Sequence, residues 1–149
     1  MNLKIVQFLA IMVTAIALMP GMAHLLELAN KMQLDRDQYF IVQRIYAGWA
    51  LLGIALIAAV LVNLLLAIIT WGDHPASELA LAAAILVGVT LVIFFLWTYP
   101  ENQATSNWTA IPDDWTGARA RWEYSHAANA VLMLIAFGMV TLSVVLSRR

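Results

Sequence analysis

Two pairs of ionisable side chains lie at the edges of apolar runs that are long enough to cross a bilayer. His24 and Glu27 are three residues apart near the end of the first run, and Glu123 and His126 have the same spacing near the start of the last. Residues three apart share one helix face. An ionisable group at the centre of a membrane helix costs about 2.5–3.5 kcal/mol, so each is a functional candidate. The pairs predict a polar site within the membrane.

The order of acid and histidine is reversed between the two pairs. Helices that run in opposite directions undo this reversal, so both histidines share a deeper layer and both glutamates a shallower one. The layers are about 4.5 Å apart, at a rise of 1.5 Å per residue. The other two helices add polar residues at about the same depth: Gln43, Tyr46, Thr98 and Asn102. We expect one pocket lined by all four helices.

Metal binding is one chemistry that these residues favour. Histidine and carboxylate ligands suit a divalent ion such as iron, zinc or copper, and Glu-x-x-His on bundle helices occurs in di-iron carboxylate proteins. Those proteins use further glutamates, whereas this chain has Gln43 in the corresponding place. The predicted ligands of at most one metal ion are His24, Glu27, Glu123 and His126.

Two other interpretations use the same residues. His24 and His126 would also suit a haem iron, bound from opposite sides. Alternatively, the pocket holds no metal or haem, and its side chains form a polar network in which each histidine pairs with the glutamate of the other helix. Arg44 or Arg119 would then neutralise the acids.

A pocket without a cofactor would suit acid–base catalysis. His126 or His24 would remove a phenolic or carbon-bound proton, because a neutral imidazole accepts a proton near pH 7. The glutamates would orient the imidazoles, and Arg119 or Arg44 would stabilise the developing phenolate. The predicted catalytic residues are His126, Glu123, Arg119 and His24, and the predicted substrate-binding residues are Gln43, Tyr46, Asn102 and Trp122.

The composition indicates which elements hold this pocket. Of 149 residues, 63% are hydrophobic and 11% are charged, compared with about 45–50% and about 25% in soluble domains. Apolar runs of spanning length cover residues 3–28, 45–69, 79–97 and 127–146. Because the polar connections are short, neighbouring helices are antiparallel. We predict an all-α integral membrane protein, a single domain over residues 1–149 folded as an up-and-down bundle of four transmembrane helices.

Several classes of site and partner are excluded. The chain has no cysteine, which rules out disulfides and thiolate metal sites,. A formal net charge of −1 offers no basic surface for nucleic acid,. The expected partners are the lipid bilayer and a lipophilic small molecule, while the existence of a homo-oligomer stays open.

The polar segments divide the bundle into two faces. Residues 30–38 and 99–115 form one face, called the loop face here, and residues 71–77 lie with both termini on the other. The first run resembles a secretory signal peptide, but its apolar pattern continues past Ala23, which favours a retained helix.

The charges at the two faces predict an orientation. The three arginines inside predicted helix starts, Arg44, Arg119 and Arg121, are set aside as candidate site residues. The loop face then keeps Lys31 and Arg36, against Lys4, Arg148, Arg149 and the terminal amine at the other face. The positive-inside rule then predicts cytoplasmic termini, in a bacterial inner membrane.

Aromatic residues near the ends of the runs are typical of rings at the lipid headgroups. Six are predicted to anchor the helices there: Tyr39, Trp71, Trp97, Tyr99, Trp108 and Trp115. Asn63 and Asn129 lie inside the runs, and we expect them to form hydrogen bonds between helices.

The last third of the chain carries a run of polar and aromatic residues: Asn102, Asn107-Trp108-Thr109, Pro112, Trp115, Arg119, Trp122-Glu123 and His126. This run resembles the carboxy-terminal signature of the anthrone-oxygenase-like family of small four-span membrane proteins. Fungal members are linked to the oxidation of anthrones to anthraquinones with molecular oxygen, and the resemblance implies a similar capability. The positions that match are Asn102, Trp115, Arg119, Trp122, Glu123 and His126.

The expected function combines the pocket with the resemblance. We predict a membrane-embedded oxidoreductase of the oxygenase type that acts on a lipophilic aromatic or quinol-like molecule. The alternative is a non-enzymatic membrane subunit that carries a haem or a metal within a larger complex.

Overall fold

The computed structural model describes residues 2–149, and every regular element within that range is helical. The α-helices are α1 (Leu3–Lys31), α2 (Arg36–Gln43), α3 (Gly53–Ile69), α4 (Ala76–Ile93), α5 (Tyr99–Ala104) and α6 (Trp115–Leu146). A π-helical turn, Phe94–Thr98, joins α4 to α5, so that both belong to one span. Two 3-10 turns, Arg44–Tyr46 and Trp49–Leu52, lead from α2 into α3. Within residues 2–149, four helices are long and apolar enough to cross a membrane.

The four long helices pack in a ring. α1 contacts α3 and α6, and α4 contacts the same two helices. Consecutive spans are therefore neighbours, and the predicted four-helix bundle is confirmed. Small side chains fill the interior. Among residues 2–149, seven alanines are fully buried: Ala10, Ala59, Ala76, Ala80, Ala83, Ala130 and Ala136. Small residues let membrane helices approach closely, and at Gly21 a Cβ atom would lie 3.3 Å from the Cα atom of Ala130.

Three spans are longer than predicted, because helices continue through the polar residues near the loop face. α1 extends to Lys31 rather than to residue 28, and the third span covers Ala76–Ala104 rather than residues 79–97. The fourth helix begins well before its apolar run at residue 127, since α6 begins at Trp115. Asp114 caps this helix by accepting a hydrogen bond from the N–H of Gly117 at 3.0 Å,.

The second span begins later than predicted. Gln43 and Tyr46 do not belong to this span but to α2 and the turn that follows it. Asp35 starts α2 as part of a capping box, accepting a hydrogen bond from the N–H of Gln38 at 2.9 Å,. Gly48 has a φ of 87°, which glycine adopts without steric cost. The chain thus changes direction between α2 and α3, and Gln43 and Tyr46 reach the bundle from its loop face.

A second irregular turn covers the loop face. Ser106, Asn107 and Trp108 have φ values of 50°, 56° and 64°, in the left-handed region that is costly for residues other than glycine. The turn buries Trp108 to 5% exposure against Tyr39, which is 0% exposed. The prediction that these two rings anchor the protein at the lipid interface is therefore wrong, whereas three other predicted anchors are exposed: Trp71, Trp97 and Tyr99.

One predicted contact between helices is confirmed in the interior. The amide nitrogen of Asn63 donates a hydrogen bond to the hydroxyl of Thr14 at 2.9 Å, and both residues are fully buried. The contact links α3 to α1 within the apolar part of the bundle. Neither partner of this hydrogen bond is a charged residue.

Candidate functional site

Lys31 lies at the centre of a buried polar cluster at the loop-face end of the bundle, with its side chain only 4% exposed. Its Nζ atom lies 3.0 Å from a carboxylate oxygen of Glu123 and 3.6 Å from one of Glu27. The same Nζ lies 3.2 Å from Nδ1 of His24 and 3.2 Å from the hydroxyl of Tyr46. We call this set and the adjacent imidazole the Lys31 cluster, which comprises His24, Glu27, Lys31, Tyr46, Glu123 and His126.

Glu123 is the most deeply buried acid of the cluster, at 1% exposed. Tyr39 donates its hydroxyl hydrogen to Oε1 at 2.9 Å, and the amide nitrogen of Gln43 donates to the same oxygen at 3.4 Å. The contact of the other oxygen with Lys31 is an ion pair rather than a directed hydrogen bond. Burial raises the pKa of Tyr39, and the charge of Glu123 raises it further. The Tyr39 hydroxyl therefore stays protonated and remains a donor.

Glu27 forms the edge of the cluster that faces the loop surface, and its side chain is 41% exposed. It accepts a hydrogen bond from the hydroxyl of Tyr46. Burial raises the pKa of Tyr46, and the bond to Glu27 adds to this effect. Each carboxylate is thus bound by one tyrosine, and both face the same ammonium group.

His24 and His126 meet face to face beside Lys31. Their ring centroids are 4.2 Å apart, with 28° between the ring planes. Trp122 borders both rings, at centroid distances of 4.9 Å from His24 and 4.3 Å from His126. Over residues 2–149, His24 and His74 have polar partners, whereas the imidazole of His126 has none. The predicted convergence of the two histidines is therefore present, and one imidazole is left free.

Asn102 binds the indole rings of two tryptophans, one of which, Trp122, borders the cluster. Its side-chain oxygen accepts hydrogen bonds from the indole nitrogens of Trp122 at 2.8 Å and Trp108 at 3.2 Å. Trp49 and Tyr46 close the other side, with ring centroids 5.7 Å and 4.5 Å from that of His24. The arrangement provides flat apolar surfaces around two imidazoles and one buried cation.

Two details of the predicted polar network are wrong. Neither histidine pairs with a glutamate, because Lys31 lies between the acids and the imidazoles. No arginine neutralises the pair of acids among the described residues 2–149 either: Arg44 is exposed, and Arg119 donates to the carbonyl of Leu34 at 2.9 Å. The positive charge comes from a residue that the sequence patterns assign to a loop.

The cluster does not present an open set of metal ligands. Within residues 2–149, no group of three or more histidine, aspartate or glutamate side chains is arranged to hold a metal ion. The Lys31 ammonium lies between the two carboxylates, and it also engages Nδ1 of His24. The stacked imidazoles do not fit opposite sides of a haem iron, because nitrogen lone pairs lie in the ring planes. Metal and haem binding stay predictions that this arrangement does not favour.

Sequence reasoning missed two residues of this site. The polar segment places Lys31 in a loop, although it follows Glu27 by four residues and His24 by seven, spacings that share one helix face. The sequence pattern places Tyr39 at the lipid interface, and nothing in its local sequence indicates that α2 folds over the bundle end.

The structure gathers most of the predicted site residues at this one end. Those within the cluster or in direct contact with it are His24, Glu27, Gln43, Tyr46, Trp122, Glu123 and His126. Asn102 contacts Trp122, and Arg119 packs over Tyr39, at 5.5 Å from the ring centroid. No family model, no curated protein and no solved structure matches this chain.

Proposed function

We propose that this protein is a membrane-embedded oxidoreductase of the oxygenase type, acting on a lipophilic hydroxylated aromatic or quinol-like molecule. The observation that carries the proposal is a free imidazole, His126, beside a buried ammonium group, Lys31, between aromatic walls. The resemblance of residues 102–126 to the anthrone-oxygenase-like signature supports the same substrate class.

The proposed chemistry divides between an acid–base group and an electrostatic one. His126 removes the hydroxyl proton, since its nitrogens are not occupied by other residues. Lys31 stabilises the phenolate that forms, and this interaction is strong where water is excluded. Lys31 thus takes the role that sequence reasoning gave to Arg119 or Arg44. Dioxygen is the oxidant, and the substrate anion supplies the electrons.

The direct test compares two histidine variants in purified protein. Oxygen uptake and product formation are measured with a lipophilic hydroxyanthrone or quinol. Loss of a general base typically lowers the rate by about 10²–10⁴-fold, and we expect that loss in His126→Ala. His74→Ala is the matched control, because His74 lies at the opposite face with its side chain 66% exposed. Equal turnover in all three proteins would contradict the proposal.

Metal and haem content is the second readout of the same proteins. Stoichiometric metal or haem that disappears in a His24→Ala/His126→Ala double variant would favour the carrier subunit instead. Elemental analysis and a visible spectrum make this distinction.

We also propose that the termini face the cytoplasm of a bacterial inner membrane. Lys31 is buried and therefore contributes nothing to the charge of the loop face. Lys4, Arg148 and Arg149 remain at the other face, which supports cytoplasmic termini. Because the chain has no cysteine, single cysteines at exposed positions report topology: His74→Cys should react with an impermeant thiol reagent from inside, and Gln103→Cys from outside.

A further inference from the structure

We infer that Lys31 fixes the tautomer of His24, so that the Nε2–H of this imidazole is a permanent hydrogen-bond donor in the pocket. The inference starts from the 3.2 Å contact between Nζ of Lys31 and Nδ1 of His24, both of which are buried. A lysine ammonium has three donors and no acceptor. Nδ1 must therefore accept, and the single proton of a neutral imidazole lies on Nε2.

The other contacts of the ammonium group agree with this assignment. Lys31 forms ion pairs with Glu123 at 3.0 Å and Glu27 at 3.6 Å, and it donates a hydrogen bond to the hydroxyl of Tyr46 at 3.2 Å. Tyr46 gives its own proton to Glu27, so its oxygen is free to accept from Lys31. The same pattern fixes the orientation of the ring, because rotation by 180° would place a C–H group of His24 against the charged nitrogen.

The two stacked histidines consequently have different properties. Nδ1 of His24 is occupied by Lys31, and Nε2 presents a donor that no described residue accepts from. His126 has no polar partner among residues 2–149 and keeps an acceptor nitrogen. One imidazole is thus suited to donate to an oxygen, and its neighbour to receive a proton.

This difference specifies the chemical group that the pocket recognises. A phenolate or carbonyl oxygen accepts from Nε2–H of His24, whereas a protonated amine, which has no lone pair, cannot. This use of the donor rests on the proposed function, but the tautomer itself does not. Lys31 acts here as a positioning residue, since its effect on the ligand passes through His24.

Nitrogen NMR of protein labelled with ¹⁵N-histidine tests the tautomer directly. The chain has three histidines, so the spectrum is simple, and His24→Asn and His74→Ala assign it. In the unmodified protein, we expect His24 to show a protonated Nε2 and an unprotonated Nδ1. A protonated Nδ1, alone or together with Nε2, would overturn the inference without any need for a variant.

Substitution of Lys31 tests whether this residue sets the tautomer of His24 or only supports the structure around it. Lys31→Met should abolish the single tautomer of His24 and give a mixture of both, whereas Lys31→Arg, also a donor only, should retain Nε2–H. Glu27→Gln is the matched control, since it removes a neighbouring charge but keeps the Lys31–His24 contact. A single Nε2–H tautomer in folded Lys31→Met would show that Lys31 does not set it.

Ligand addition tests the recognition step. Saturation with 1-naphthol should shift the Nε2 signal of His24 and leave that of His74 unchanged. An unchanged His24 signal with naphthol bound would overturn the ligand assignment. If the tautomer and the shift are found but no substrate is turned over, the proposed function fails while this inference stands.

Discussion

Buried polar side chains occur in both halves of the bundle, but their contacts between helices differ. Toward the termini, two such contacts join neutral groups only. Asn63 donates to Thr14 at 2.9 Å, and the hydroxyl of Ser143 donates to the backbone carbonyl of Ala76 at 2.7 Å. These contacts join α3 to α1 and α6 to α4. They serve helix packing and need no charge.

At the loop-face end, one cation is shared by two carboxylates, an imidazole and a phenol. Removing charges from water is costly, and a buried ion pair is weak evidence for a purely stabilising role. In the other half, contacts such as that between Asn63 and Thr14 join helices without any ion. We therefore infer that the charged cluster has a chemical role rather than a packing role.

The largest effect on the free energy of unfolding is expected for Lys31→Met. The substitution leaves Glu123 buried without a cation, and loss of one partner of a buried pair costs about 3–5 kcal/mol. The free energy of unfolding in detergent should fall by about that amount. Lys4→Met removes an exposed lysine and serves as the control. Equal stability of both variants would mean that Lys31 is not the centre of the cluster.

A second prediction compares the two acids. Glu123→Gln should cost about 1.5–3 kcal/mol, the range for hydrogen bonds to charged groups, because this side chain is fully buried. Glu27→Gln should cost less than about 1 kcal/mol, since its side chain is 41% exposed and solvent screens the pair,. Unfolding measured side by side tests the order. A larger cost for Glu27→Gln would contradict the burial that we assign.

Alkaline pH gives a third test, through Tyr39. Its pKa is raised by burial and by Glu123, so above the ordinary tyrosine pKa of about 10 the folded state holds a proton that the unfolded state loses. Stability should therefore fall above pH 10, by up to about 1.4 kcal/mol per pH unit. Tyr39→Phe should remove that part of the slope. An unchanged slope would show that Tyr39 titrates normally.

The smallest effect is expected in the other half of the bundle. Hydrogen bonds between membrane helices average about 0.6 kcal/mol, and the contact between Asn63 and Thr14 should contribute about that much. A double-mutant cycle of Asn63→Ala and Thr14→Val isolates this coupling energy. A coupling energy as large as the one between Lys31 and Glu123 would contradict the difference between the two halves of the bundle.

Helix periodicity predicts part of the site but not all of it. The spacing of His24 and Glu27 matches that of Glu123 and His126. Helix geometry and antiparallel packing of neighbouring helices are therefore enough to predict that the two histidines meet. The position of Lys31 beside them is not predicted, because the hydropathy pattern ends the first helix before this residue. Whether a helix continues through a charged residue is decided by tertiary partners, and those partners come from the other end of the chain.

Hydrophobic patterns do not describe the residues before the second span. They predict that Gln43 and Tyr46 line the pocket, but as part of a span to which these residues do not belong. The chain passes through the short helix α2 and two turns, with a left-handed residue at Gly48, and no hydrophobic pattern specifies such a path. The burial of Tyr39 is not predicted for the same reason. Local sequence specifies the capping box of α2, whereas its position over the bundle depends on the cluster that it covers.

The proposed function requires the loop-face end of this bundle to ionise a lipophilic hydroxylated aromatic beside Lys31. The most direct measurement is the absorption spectrum of 1-naphthol bound to the protein at neutral pH, with 1-methoxynaphthalene as a ligand that has no proton to lose. We predict the naphtholate spectrum with the unmodified protein and with His74→Ala, and the neutral naphthol spectrum with His126→Ala. A neutral spectrum in the unmodified protein, with naphthol demonstrably bound, would contradict the account.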